Sequence, residues 1–128
     1  MDVQWFSYNT TGTATIYPTN ITLNTTAAKH FENAYATLIG YETQEKSLLI
    51  KAVNKDDVEK GLYKDYNLYK IAIKPSYGRI TGKAVIDNLC KYHPLNFEEA
   101  NSYKVECEWN DKNRTLAVFL GRKVKWCF

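Results

Sequence analysis

Apolar positions recur in two rhythms along the chain. Ala14, Thr15, Ile16 and Tyr17 read as a strand that Pro18 ends, and Ile21, Thr22 and Leu23 as a short second strand. The rhythm then changes. Ala27, Ala28 and Phe31 fall on one helical face, with Asn24 or Thr25 placed to cap it by accepting from backbone N–H groups that lack an intrahelical partner. An apolar hairpin follows, with arms at residues 35–41 and 48–53 and a polar turn at 43–46. Residues 54–64 are charged and contain Gly61, which predicts a linker with one helical turn.

The same order then returns. Residues 69–74 alternate as a strand does, and Pro75 stops them. Arg79-Ile80 takes the place of Thr22-Leu23, and Thr81 the capping place of Asn24. Val85, Ile86 and Leu89 share a helical face that runs to His93-Pro94. An acidic loop at 96–101 is peculiar to this half. Residues 103–109 then alternate, with Glu106 and Glu108 on one face, and a turn at 110–113 leads into apolar residues 116–120. The two hairpins align position for position, Tyr41 to Leu48 on Trp109 to Leu116: aromatic, polar turn, basic residue, hydroxyl, leucine. This pattern predicts an internal duplication with pseudo-repeats at 14–53 and 69–120, a linker at 54–68 and a basic tail at 121–128. The expected fold class is α+β, one domain in which two β-α-β-β units form a small barrel-like or sandwich-like body with short helices.

A strand running into a capped helix and then an apolar hairpin is similar to the swapped-hairpin unit of the AbrB/MraZ family. Residues 21–50 and 78–120 carry the likeness. The resemblance implies that two units interlock into one small barrel, that copies of the chain pair as homo-oligomers, and that the protein binds DNA as a regulator. The second copy also resembles small proteins of phages and mobile elements. It keeps basic residues at the helix start, in Arg79-Ile80-Thr81-Gly82-Lys83, where the first copy has Thr22-Leu23-Asn24-Thr25.

Charge sharpens this expectation. The net charge is a modest +3, but all three arginines, Arg79, Arg114 and Arg122, lie in the second half. With Gly82, Lys83, Lys123 and Lys125, and with Tyr77 and Trp126 as stacking rings, they form the candidate nucleic-acid or anion site. Cations contact phosphates, rings stack on bases, and the Gly82 amide with Lys83 at a helix start suits a phosphate or other anion. The segment 77–83 lacks the first glycine and the final Ser/Thr of a Walker loop.

Catalysis and cofactors find little footing. The two histidines, His30 and His93, each lack a nucleophile or acid at motif spacing. Three cysteines without a Cys-x-x-Cys pair argue against a zinc site or a disulfide framework. Asp56, Asp57 and Glu59 lie in a lysine-rich linker without a calcium-loop pattern. The expectation is therefore no catalytic residue, no metal and no cofactor. No apolar run approaches the ~20 residues a membrane helix needs, and the start of the chain lacks a signal-peptide pattern, so a cytoplasmic protein without membrane contact is expected. Surplus tyrosine and tryptophan keep an alternative open: a phage or mobile-element module that binds a host protein or a small anionic ligand such as a nucleotide.

Overall fold

Pro18 and Pro75 stand at corresponding corners of the structure, each in the turn of a short hairpin. Proline has no N–H to give to a ladder, so the strand ends there and the chain returns. The computed structural model describes residues 11–121 and 125–127. The first hairpin is β1 (Gly12–Ile16) and β2 (Asn20–Asn24), and its counterpart is β6 (Ala72–Lys74) and β7 (Tyr77–Thr81). Between them come α1 (Thr25–Ala28), a 3-10 turn at Lys29–Phe31, the hairpin β3 (Ala36–Glu42) and β4 (Ser47–Val53), α2 (Lys55–Glu59) and the two-residue β5 (Leu68–Tyr69). After β7 come α3 (Lys83–Tyr92), the hairpin β8 (Ser102–Asn110) and β9 (Thr115–Val118), and β10 (Lys125–Cys127).

All pairings are antiparallel, in the order β5-β3-β4-β9-β8-β1-β2-β7-β6, with β10 beside β8. The expected single strand at 69–74 is split. β5 pairs with β3 at one end of the sheet and β6 with β7 at the other, so Lys70 and Ile71 join the two ends and the sheet curls into a barrel-like wall. Lys70 is fixed at this crossing: its Nζ donates to the Tyr35 carbonyl at 3.1 Å and lies 3.5 Å from the Tyr35 ring centre. A small α+β domain, mostly antiparallel strands with short helices, is the architecture. Two strands precede each of α1 and α3, so the layout is strand-strand-helix-strand-strand where β-α-β-β was expected.

The inward faces of the strands and the helices share one core. Ile16, Ile21, Leu23, Phe31, Ile50, Ile80 and Val118 are fully buried there. α1 reaches across to β7 and β8, and α3 to β2 and β3. Gly78 permits the first of these approaches, since a Cβ there would stand 2.9 Å from that of Ala28. Two reciprocal links tie the halves: Thr25 Oγ1 donates to the Ser76 carbonyl at 3.1 Å, and the Gly82 N–H donates to the Thr19 carbonyl at 2.9 Å.

The two long hairpins share one register. Tyr41 lies opposite Leu48 and Glu42 opposite Ser47; Trp109 lies opposite Leu116 and Asn110 opposite Thr115. The fourth turn residue of each, Lys46 and Arg114, is left-handed, with φ of 53° and 52°. This conformation costs a side-chain-bearing residue about 1–2 kcal/mol, so the same cost recurs at matching places. The hairpins meet edge to edge through β4 and β9, with Leu49 opposite Ala117.

One local expectation is corrected and two gain detail. The first helix is one α turn capped by Asn24, whose Oδ1 accepts from the Ala27 N–H at 3.0 Å, and it tightens into 3-10 geometry over Lys29–Phe31. The charged linker does hold a short helix, α2, capped by Asn54. Within the segment expected as a basic tail, residues 125–127 pair in backbone with β8, from Lys125 opposite Lys104 to Cys127 opposite Ser102.

Candidate nucleic-acid interface

Side chains alternate across a strand, so residues directly opposite each other on neighbouring strands share a face. On the outer face one row crosses four strands: Lys104 on β8 lies opposite Thr15 on β1, Thr15 opposite Thr22 on β2, and Thr22 opposite Arg79 on β7. Both cations are exposed. At about 4.8 Å per strand they stand about 14 Å apart along the sheet. The flanking row carries Thr13, Asn24, Tyr77 and Lys74, with Tyr77 opposite both Asn24 and Lys74.

A polar network holds the arginine on this face. Arg79 Nε donates to Thr22 Oγ1 at 3.4 Å, Thr22 Oγ1 donates to Asn20 Oδ1 at 2.8 Å, and the guanidinium carbon lies 4.9 Å from the Tyr77 ring centre. Among the described residues the one ion pair is Lys55 with Glu59 at 3.8 Å, so no described carboxylate forms an ion pair with Arg79 or Lys104. Glu106, on the outer face of β8, pairs with Thr13 at the far side of Lys104 from the Tyr103 end.

The sequence-derived site is only partly assembled. Arg79 and Tyr77 are neighbours on the outer face, and Lys125 lies opposite Lys104 by backbone register, at the end of the same row. Trp126 pairs in backbone with Tyr103. Lys83 is exposed at the first turn of α3. Gly82 does not serve as an anion donor, because its N–H is already spent on the Thr19 carbonyl. Arg114 is also separated from the row: it ends the β8–β9 turn, where its carbonyl accepts from the Ala52 N–H at 2.9 Å. Arg122 and Lys123 lie outside the described residues. Lys104 and Lys74 were missed. Alternation in 103–109 marked Lys104 as outward, but only the order of strands puts it in line with Arg79.

Acid–base chemistry gains no centre. Glu106 and Glu108 share a face, yet neither is neutralised by Lys112 or Arg114 as a cross-strand partner; Glu108 faces Ala117. Burial, then the Glu106 charge, pushes the Cys107 thiol up to about 12, so it stays protonated and inert. His93 accepts or donates at Nδ1 with the Tyr41 hydroxyl at 3.1 Å, and burial followed by Lys46 lowers its pKa. Burial raises that of Tyr41. His30 stacks on Trp109, ring centres 4.6 Å apart and planes 6° from parallel. Burial and then Lys29 lower its pKa, opposed by Asp111. No group of three or more His, Cys, Asp or Glu among the described residues is placed to hold a metal, and no described helix is long and apolar enough to cross a membrane. Comparison with family models, with curated proteins and with solved structures finds no match to this chain.

Proposed function

We propose that the protein is a non-enzymatic nucleic-acid-binding or regulatory protein that contacts its ligand with the outer face of β8, β1, β2 and β7. The observation that carries this reading is the row Lys104, Thr15, Thr22, Arg79, in which two cations with no ion pair among the described residues flank hydroxyls across four strands. Cations on a rigid sheet neutralise phosphates without paying to order a loop, and threonine hydroxyls and asparagine amides add hydrogen bonds to phosphate and sugar. Tyr77, braced by Arg79, offers a ring for stacking on a base.

The chain layout supports the same reading. Matching hairpin registers, matching left-handed turn residues and reciprocal links between halves favour a tandem of two interlocked units, similar in layout to the AbrB/MraZ swapped-hairpin proteins. Such a tandem is a two-fold-like body in one chain, and in it Thr22 and Arg79 are counterparts facing each other on adjoining strands. The first half supplies the hydroxyl and the second the cation.

Electrophoretic shift titrations against salt, with duplex and single-stranded probes, test the proposal. Arg79→Ala and Lys104→Ala are each expected to weaken binding and to lower the salt slope by about 1, the signature of one lost phosphate contact. Arg114→Ala, off the row, is expected to leave the slope unchanged. Absence of binding to either probe at low salt defeats the proposal.

A further inference from the structure

Each end of the outer row pairs a cation with a ring. Thr15 and Tyr17 alternate with the buried Ala14 and Ile16, so Tyr17 faces outward with Thr15. Its N–H donates to the Asn20 carbonyl at 2.9 Å, which holds it at the start of the β1–β2 turn, and its side chain is exposed. Thr15 lies opposite Lys104, which makes Tyr17 and Lys104 diagonal neighbours, about 7–8 Å apart. At the other end Tyr77 and Arg79 alternate with the buried Gly78 and Ile80, and the guanidinium carbon lies 4.9 Å from the Tyr77 ring centre.

Between the two ends the face is polar and uncharged. Among the described residues no hydrogen bond engages the Thr15 hydroxyl. Asn20 accepts from Thr22 at Oδ1, and its amide N–H groups stay unspent. Reading a duplex calls for a helix or a two-stranded ribbon that enters a groove. This row is sheet surface, and α1 and α3 bury Ala27, Ala28, Val85, Ile86 and Leu89 in the core behind it. In a duplex the faces of the bases are hidden in the stack, and two separate rings would find nothing to cover. A single strand presents those faces, and cations beside the rings hold its phosphates. A ribose adds a 2′-hydroxyl that donates and accepts, which suits a free threonine hydroxyl and a free amide.

We infer that the face from Tyr17 and Lys104 to Tyr77 and Arg79 binds single-stranded RNA. The strand lies across β8, β1, β2 and β7, with bases on the two tyrosines, phosphates on the two cations and ribose hydroxyls against Thr15 and Asn20. This inference rests on the nucleic-acid reading above and narrows it to one kind of ligand.

The test is fluorescence anisotropy of the full chain with three labelled probes at one low salt concentration: an oligouridylate of about ten nucleotides, the deoxyuridine strand of the same length, and a duplex RNA. The single RNA strand is expected to bind roughly tenfold or more tighter than the duplex. Tyr17→Ala and Tyr77→Ala are each expected to weaken binding of that strand by about tenfold, the scale of one lost base stack, and to leave duplex binding unchanged. Tyr17 is exposed, so its variant keeps the fold, which an unchanged melting temperature checks. Thr15→Val, which removes the hydroxyl at the same shape, is expected to narrow the gap between the RNA and the deoxy strand. Duplex binding as tight as single-strand binding, equal affinity for the deoxy strand, or tyrosine variants without effect overturn the inference and leave the nucleic-acid reading standing. Absence of binding to all three probes removes both.

Discussion

The corner around Tyr41 and the corner around Trp109 are built on the same hairpin and end differently. Both rings sit opposite a buried leucine one residue before the last paired position, and both hairpins close through a left-handed basic residue. At Tyr41 a long helix lies over the hairpin, and its last residues, Tyr92 and His93, finish an uncharged wall. At Trp109 the helix stops early, and the 3-10 turn supplies His30 and Phe31 instead. One framework thus yields two differently covered corners. The strands set the framework, while the length of the covering helix sets what lies over it.

The strongest way to break this comparison is to delete its anchors. Phe31 is fully buried against Trp109, and Leu89 holds the matching place under α3. Phe31→Ala is expected to cost about 4 kcal/mol and Leu89→Ala about 3 kcal/mol in urea unfolding, the difference following the atoms removed. A much smaller loss for Phe31 would mean that the α1 corner is not part of the cooperative core.

A second pair sharpens the role of close approach. Gly78→Ala drives a methyl to within 2.9 Å of the Ala28 Cβ and is expected to cost about 1–3 kcal/mol by overpacking, whereas Gly40→Ala meets nothing within 4 Å and is expected to stabilise by a few tenths to about 1 kcal/mol. Equal effects at the two sites would mean that α1 does not rest on β7 through this glycine.

The smallest effect is the pH dependence. His30 and His93 both have pKa values lowered from 6.5, mainly by burial. The unfolded chain therefore binds more protons as the pH drops through 6.5. Stability contributed by the neutral rings is complete above that value and falls away on acidification below it. Unfolding free energy measured between pH 7.5 and 5 is expected to decline, and His30→Gln with His93→Gln to flatten the decline. A stability that rises on acidification through this window would contradict the burial of both rings.

The outer row and the Trp109 corner differ in how far local sequence reveals them. Arg79 and Tyr77 were recognisable as a cation and a ring just before the second helix, and the structure braces one against the other. Lys104 was recognisable only as outward-facing, since nothing within 103–109 says which strand will lie alongside. Gly82 was misjudged because its N–H is claimed by Thr19, a carbonyl more than sixty residues earlier in the chain. The Trp109 corner was out of reach for the same reason, because its walls come from β1, α1, β8 and β9.

Periodicity, proline and capping residues by themselves marked the two long hairpins, the helix after Gly82 and the strand ends at Pro18 and Pro75, because those depend on neighbours within a few residues. Tertiary structure alone decided that residues 69–74 break in two to join the ends of the sheet, that Lys104 falls in line with Arg79, and that the two corners are covered differently. Each of those depends on long-range strand partners and on how much volume a helix fills, and a chain of local preferences carries neither quantity.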